Sequence, residues 1–98
     1  MITRQPPELE TPEARLRLPV ERNGFSVSLA PGIRLNYRRS ARTSGTWAVK
    51  IADGARSSTM RRIAMADDYH RANGRDVMNY RQACATALAL AGSELKLR

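Results

Sequence analysis

Among the side chains that catalysis or metal binding could use, this 98-residue sequence contains one histidine, one cysteine and one pair of adjacent aspartates. His70 lies between Tyr69 and Arg71 in a polar stretch, which is typical of an exposed loop histidine. Cys84 falls on an apolar helical stripe, which is typical of a buried and unreactive thiol. We therefore expect neither a nucleophile nor a general base among them.

The two adjacent carboxylates are Asp67 and Asp68. A divalent cation needs several oxygen ligands that converge on one point, whereas adjacent side chains of an extended segment point to opposite faces. No further acidic group or histidine completes a site, so the sequence predicts no metal and no cofactor. The role we expect for the pair is structural: accepting hydrogen bonds from loop N–H groups or pairing with an arginine.

Positive charge is the most informative feature of the sequence. There are 17 Lys and Arg against 9 Asp and Glu, and +7 of the formal net charge of +8 lies in residues 33–65. A basic surface built by one continuous segment favours a polyanion such as nucleic acid over a small acidic ligand. We expect double-stranded DNA as the partner and no small-molecule substrate.

The length and the N-terminus narrow the class of protein further. A chain of 98 residues fits one small domain with a thin core. No apolar run approaches the roughly 18 residues of a membrane span, and the first residues lack the pattern of a signal peptide. We expect a cytoplasmic protein that has no membrane partner.

Alternation of apolar and polar residues predicts three strands that position the basic side chains, near 33–39, 46–52 and 59–65. In the second strand, Trp47, Val49 and Ile51 make one face clearly apolar. The register of the third is less defined; we expect Ile63 and Met65 to face the core, with a bulge near Arg61. Asp53-Gly54 predicts the turn between the second and third strands.

A helix is predicted near 80–91 to cover the apolar face. Asn79 and Gln82 have the spacing of a capping box at its start. Its apolar stripe comprises Tyr80, Ala83, Cys84, Ala87, Leu88 and Ala91. The expected fold is therefore α+β: a three-stranded antiparallel β-sheet packed against one C-terminal α-helix, with Tyr37 and Trp47 filling the space between them.

The residues before this unit predict two further features. Residues 1–12 combine three prolines with glutamates, which predicts a mobile N-terminal arm, and residues 13–98 form the single domain. Residues 14–20 and the FSVSL segment both alternate, and Asn23-Gly24 between them predicts a short extended pair. Ala30-Pro31-Gly32 predicts a turn in which the glycine takes a positive φ.

A family resemblance rests on an ordered set of short motifs. The run TPEARLRLPVERNGFSVSLAPGIRLNYRRSARTSGTWAVKIADG, followed by IAMADDY, ANG, VMNY and RQA, resembles the N-terminal part of phage and bacterial tyrosine recombinases, the integrases. The resemblance covers residues 11–91. It implies an arm-type DNA-binding domain, a three-stranded sheet whose open face enters the DNA major groove. Asn36 stands where the family usually has glycine, and Thr59, Met60 and Ile63 replace aromatic residues common before the ADD triplet.

The resemblance also implies that this chain binds DNA and does not cut it. An integrase cleaves DNA with a tyrosine nucleophile, arginines and His or Lys groups of a separate C-terminal domain. These 98 residues lack that constellation. We expect the sequence-specific DNA-binding module of a site-specific tyrosine recombinase, not an enzyme, with other recombinase protomers as further partners.

The candidate DNA contacts follow from base and phosphate chemistry. Arginine bonds guanine bidentately, asparagine bonds adenine, and lysine mostly neutralises phosphate. The first candidates are Arg34, Asn36, Arg38 and Lys50, with Arg39, Arg42, Arg61 and Arg62 as contacts to the DNA backbone.

Two alternatives stay open at this stage. An RNA-binding module of the stacking kind would expose aromatics on its sheet, whereas Tyr37 and Trp47 fall on the apolar face, which argues against it. A protein-interaction module would contact partner protomers through the helix.

Overall fold

The computed structural model of the chain describes residues 7–21, 24–52 and 58–96. These residues form three helices and five strands in the order α1 (Pro7–Glu10), α2 (Pro12–Arg15), β1 (Phe25–Ala30), β2 (Ile33–Arg38), β3 (Thr46–Ala52), β4 (Ser58–Ala66), β5 (Val77–Met78) and α3 (Tyr80–Lys96). The α+β class predicted from the sequence is confirmed.

The expectation of a three-stranded sheet is wrong, because a strand is added at each edge. Strands β1 to β4 pair in sequence order and antiparallel, and β5 pairs parallel to the end of β4. The Pro31-Gly32 turn joins β1 directly to β2, and Gly32 adopts a φ of 77°. Proline followed by a residue of positive φ suits a type II turn, so the turn prediction is confirmed.

The extended pair expected between residues 14–20 and β1 does not form. Pro12–Arg15 is helical instead, and the Thr11 hydroxyl caps this short helix by accepting from the Ala14 N–H at 3.1 Å. A proline at the first helical position suits a helix, because its missing N–H would have no partner there. Part of the alternating segment 14–20, for which we expected a strand, is thus a helical turn.

The sequence predicts a mobile arm over residues 1–12, and the structure differs from this prediction in the second half of that range. Residues 7–10 form α1, and Leu9 joins the core with 1% of its surface exposed. Burial of this large apolar side chain offsets the conformational entropy that the segment loses on folding. The prolines and glutamates alone indicate too little apolar surface for this. Residues 1–6, Asn23 of one expected turn and the whole Asp53-Gly54 turn lie outside the described residues.

The core lies between the sheet and α3. Trp47 is fully buried and donates its indole N–H to the carbonyl of Met78 at 2.8 Å. Its ring centroid lies 5.1 Å from that of Tyr37 and 6.0 Å from that of Tyr80. After Tyr80, the side chains of α3 that face the sheet are those of Ala83, Ala87 and Ala91, and all three are fully buried. Their small size lets the helix lie close to these aromatic rings.

The start of α3 has the capping box that the sequence predicts. The Asn79 side chain accepts from the Gln82 N–H at 2.8 Å, and the Gln82 side chain accepts from the Asn79 N–H at 3.0 Å. Two backbone donors of the first turn are thereby satisfied.

The register expected for the third predicted strand, now β4, is only partly right. Ile63 packs half-buried against the core as expected, but the buried residues of the strand are Ala64 and Ala66, and Met65 pairs with Thr46 on the other face. The bulge lies at Ile63, because Trp47 pairs with Ala64 while the next residue of β3 pairs with Arg62. Small alanines suit the inner positions, because the large indole of Trp47 already fills the space beside them.

Candidate nucleic-acid interface

None of the three described helices covers one side of β1 to β4, and we call that side the open face. The strand register places side chains from all four strands on it: Ser26, Ser28, Arg34, Asn36, Arg38, Thr46, Ala48, Lys50, Ala52, Ser58, Met60, Arg62 and Met65. Its basic members are exposed, and they are Arg34, Arg38, Lys50 and Arg62. They come from the three central strands, so the charge is spread across the sheet and does not follow one edge.

Two of these cations face each other across neighbouring strands. Arg34 of β2 is the direct partner of Lys50 of β3. Side chains at such positions start about 5 Å apart, and like charges placed there repel each other. The Arg34 Nε donates to the hydroxyl of Ser26 at 3.1 Å, which uses one of five guanidinium N–H donors. The pair therefore offers an anion several donors and a concentrated positive potential.

The strands that build the open face contain no carboxylate to neutralise this charge. Neither residues 24–52 nor residues 58–66 include an aspartate or a glutamate. The two carboxylates that follow β4, Asp67 and Asp68, are bonded to a buried arginine on the helix side of the sheet. The strands themselves thus leave the charge of the open face unneutralised, and salt screens it over about 10 Å at 0.1 M.

Three of the predicted backbone contacts lie away from the open face. Arg39 is half-buried and donates through Nη1 to the Leu18 carbonyl at 2.7 Å, so it ties the N-terminal segment to the sheet. Arg42 is exposed in the loop between β2 and β3. Arg61 pairs with Val49, a residue of the packed face, and is therefore on the opposite side of the sheet from Arg62.

Asn36 lies on the open face but is covered. It is 8% exposed, and its Nδ2 lies 3.9 Å from the sulfur of Met60. Met60 itself is 52% exposed. A molecule that approaches this part of the sheet therefore contacts the thioether of Met60 before the amide of Asn36.

A buried polar cluster on the helix side was not foreseen from the sequence. Arg15 is fully buried, and its Nε donates to Asp68 at 2.8 Å while Nη1 donates to the Leu9 carbonyl at 2.8 Å. A further terminal nitrogen pairs with Asp67. The guanidinium also lies 5.0 Å from the centroid of the Trp47 ring, a cation–π distance. This arrangement attaches the N-terminal helices to the sheet.

Asp68 is the hub of this cluster. Its second oxygen accepts from the Tyr37 hydroxyl at 2.6 Å and from the Gly45 N–H at 2.7 Å. Burial, together with the hydrogen bond to Asp68, raises the pKa of Tyr37 above its usual value. The structural role predicted for the two aspartates is confirmed. The expectation that they point apart is wrong, because Arg15 reaches both.

The remaining residues singled out for their chemistry are His70 and Cys84. His70 is exposed, and burial raises the pKa of the half-buried Cys84. Within residues 7–21, 24–52 and 58–96, no three His, Cys, Asp or Glu side chains converge as metal ligands. The helices of those same ranges are too short or too polar to cross a membrane.

Comparison with known proteins adds no relative: no family model matches the chain, and neither a curated protein nor a solved structure matches it.

Proposed function

We propose that this chain binds double-stranded DNA through the open face of its sheet, as the DNA-binding module of a site-specific tyrosine recombinase. The observation that carries the proposal is the set of four exposed cations, Arg34, Arg38, Lys50 and Arg62, on strands that contain no carboxylate. The recombinase context rests on the motif resemblance of residues 11–91. In this proposal the chain contributes contact with DNA and no catalysis.

The dimensions of the sheet suit a DNA groove. Neighbouring strands lie about 4.8 Å apart, and the major groove is about 12 Å wide and admits a two-stranded ribbon. The central strands β2 and β3 fit that space, and the opposed Arg34 and Lys50 belong to them. The flanking Arg62 on β4 then lies toward the phosphates at the groove edge.

The aromatic residues support a duplex over a single strand. Proteins that bind single-stranded nucleic acid stack bases on exposed aromatic side chains. Tyr37 and Trp47 are both 0% exposed, and the open face of the described strands carries no aromatic residue. Cationic and short polar side chains are instead what phosphates and base edges of a duplex bind.

The salt dependence of binding tests the proposal. The logarithm of the association constant for duplex DNA should fall with the logarithm of salt concentration by about 0.9 for each phosphate neutralised. Lys50→Ala should weaken binding to all sequences alike and reduce the slope by about one such step. Arg81→Ala is the matched control, because Arg81 is exposed on α3, behind the sheet, and carries the same charge.

Arginine variants test whether the face also recognises sequence. Arg34→Ala or Arg38→Ala should cost about 1–3 kcal/mol on a preferred site selected from random duplexes, with a smaller loss on other sequences. Equal losses in these variants, Lys50→Ala and Arg81→Ala would contradict the assignment to the open face. Duplex binding that none of the open-face variants weakens would contradict the proposal as a whole.

One observation favours a second candidate, contact with another protomer through α3. The outward side of this helix is apolar: Leu88 is 44% exposed, and Ala85 and Ala89 beside it are also exposed. Sedimentation of the chain without DNA tests this. Self-association that is insensitive to salt and is removed by Leu88→Glu would support it, whereas a monomer at all concentrations would exclude it for the isolated chain.

A further inference from the structure

Met60 stands out among the described residues of the open face because it is a large apolar side chain that is exposed, whereas Met65 on the same face is half-buried. Met60 is 52% exposed, its direct cross-strand partner is Lys50, and Arg62 follows two residues later on the same strand and face. Half of its surface remains outward even though it covers Asn36. Packing within the fold therefore does not account for this exposed half.

We propose that Met60 contacts the 5-methyl group of thymine in the major groove and so favours A·T-containing DNA. This inference rests on the proposed function and adds a specificity-determining residue to it. The thymine methyl is the apolar group that base edges present in the major groove. Arg62, on the same strand and face as Met60, brings a phosphate to this part of the sheet, so the base edges next to that phosphate lie against Met60.

The chemistry of the side chain suits this contact. Methionine is unbranched and has a polarisable thioether, so it adapts its shape to an uneven apolar surface. Met60 lies on β4 at the edge of the groove, two residues before Arg62, so a phosphate bound by Arg62 places Met60 beside the base edges at that wall of the groove. Asn36, beneath it, is 8% exposed and is shielded from the bases by the same thioether.

The experiment compares two duplexes that differ only in that methyl group: alternating dA·dT, and the same duplex with deoxyuridine in place of thymidine. The parent chain should bind the thymidine duplex more tightly, by about fourfold for each methyl that is buried. Alternating dG·dC with and without 5-methylcytosine should show the same preference, because that modification places a methyl group at the same edge of the groove.

Variants separate this contact from other effects of the methyl group on DNA shape. Met60→Ala should abolish the preference, whereas Met60→Leu, which keeps the apolar volume, should retain most of it. Lys50→Ala should weaken binding to both duplexes by the same factor and leave their ratio unchanged. Thermal unfolding of each variant verifies that the sheet is intact.

The outcomes distinguish the two proposals. If the ratio of affinities for the thymidine and deoxyuridine duplexes is the same in Met60→Ala as in the parent, the thymine contact is refuted while DNA binding stands. If the parent binds none of the four duplexes, the proposed function fails and the thymine contact fails with it.

Discussion

The two faces of this sheet use arginine in opposite ways. On the helix side, Arg15 is fully buried, with its guanidinium bonded to two carboxylates and a carbonyl. On the open face, Arg34 and Lys50 are exposed and oppose each other across two strands that carry no acidic residue. Charge is matched within the fold on one side and exposed to solvent on the other.

The difference shows that the free-energy cost of a charged side chain depends on whether it is buried and on which groups then replace its water. A buried arginine is stable only when carboxylates and carbonyls replace the water it has lost. An exposed arginine keeps its water, so the fold tolerates it without a partner. Substitutions on the two faces should therefore affect different measurements: the free energy of unfolding on the helix side, and the affinity for DNA on the open face.

The largest expected effect is that of Asp68→Ala. This change leaves Asp67 as the one carboxylate that Arg15 contacts, and it also removes the acceptor of the Tyr37 hydroxyl and the Gly45 N–H. Breaking a buried ion pair typically costs about 3–5 kcal/mol, a large share of a small domain's stability. Urea unfolding followed by tryptophan fluorescence measures the loss, since Trp47 lies next to the cluster. A loss below about 1 kcal/mol would mean that water replaces the carboxylate and that the cluster is not sealed.

A second test probes how closely the loop before β3 packs on the same cluster. A Cβ at Gly45 would lie 2.5 Å from a ring carbon of Tyr37 and 2.7 Å from the Arg38 carbonyl oxygen. Gly45→Ala should therefore destabilise the fold by about 1–3 kcal/mol through overpacking. The matched control is Gly92→Ala, since a Cβ at that position meets nothing within 4 Å and should instead favour the helix. The same sign for both substitutions would contradict this account.

The capping box gives a smaller effect on the helix that covers the core. Asn79→Ala removes the acceptor for the Gln82 N–H and should cost about 1 kcal/mol. Asn79→Asp retains an acceptor and should recover most of that loss. An unfolding midpoint that is unchanged in Asn79→Ala would show that the first turn of α3 contributes little to stability.

Local sequence patterns predicted those parts of the fold that depend on neighbouring residues. Alternation identified the polar and apolar faces of β2 and β3, and the spacing of Asn79 and Gln82 identified the start of the helix. The turn at Gly32 followed from the conformational freedom of glycine. In each case the determining interactions lie within a few residues along the chain.

Features that depend on distant contacts were missed. Arg15 and Asp68 are 53 residues apart, and Arg15 has the same local surroundings as an arginine on a solvated turn. The register of β4 was misjudged because both of its alternating sets contain apolar residues, and only packing against Trp47 favours alanine. On the open face, the burial of Asn36 depends on Met60 from another strand, which alternation along one strand does not reveal.

The smallest effect on stability should come from the open face itself, and its sign is informative. Because Arg34 and Lys50 repel each other, Lys50→Ala should leave the free energy of unfolding within about 0.5 kcal/mol of the parent or raise it slightly. Salt should then have opposite effects on the stability of the fold and on the affinity for DNA, through the same charges. It relieves the repulsion and stabilises the free parent chain, while it weakens the binding of DNA. Lys50→Ala should reduce both dependences.

Urea unfolding and duplex binding over one series of salt concentrations measure the two effects, with Arg81→Ala as the control that changes charge on α3. If Lys50→Ala destabilises the fold by more than about 1 kcal/mol, the lysine is needed for packing. The assignment of stability to the helix side and of DNA binding to the open face would then be wrong for Lys50. If salt weakens DNA binding by the same amount in Lys50→Ala as in the parent, Lys50 does not face a phosphate, and the charge of the open face acts through its other cations.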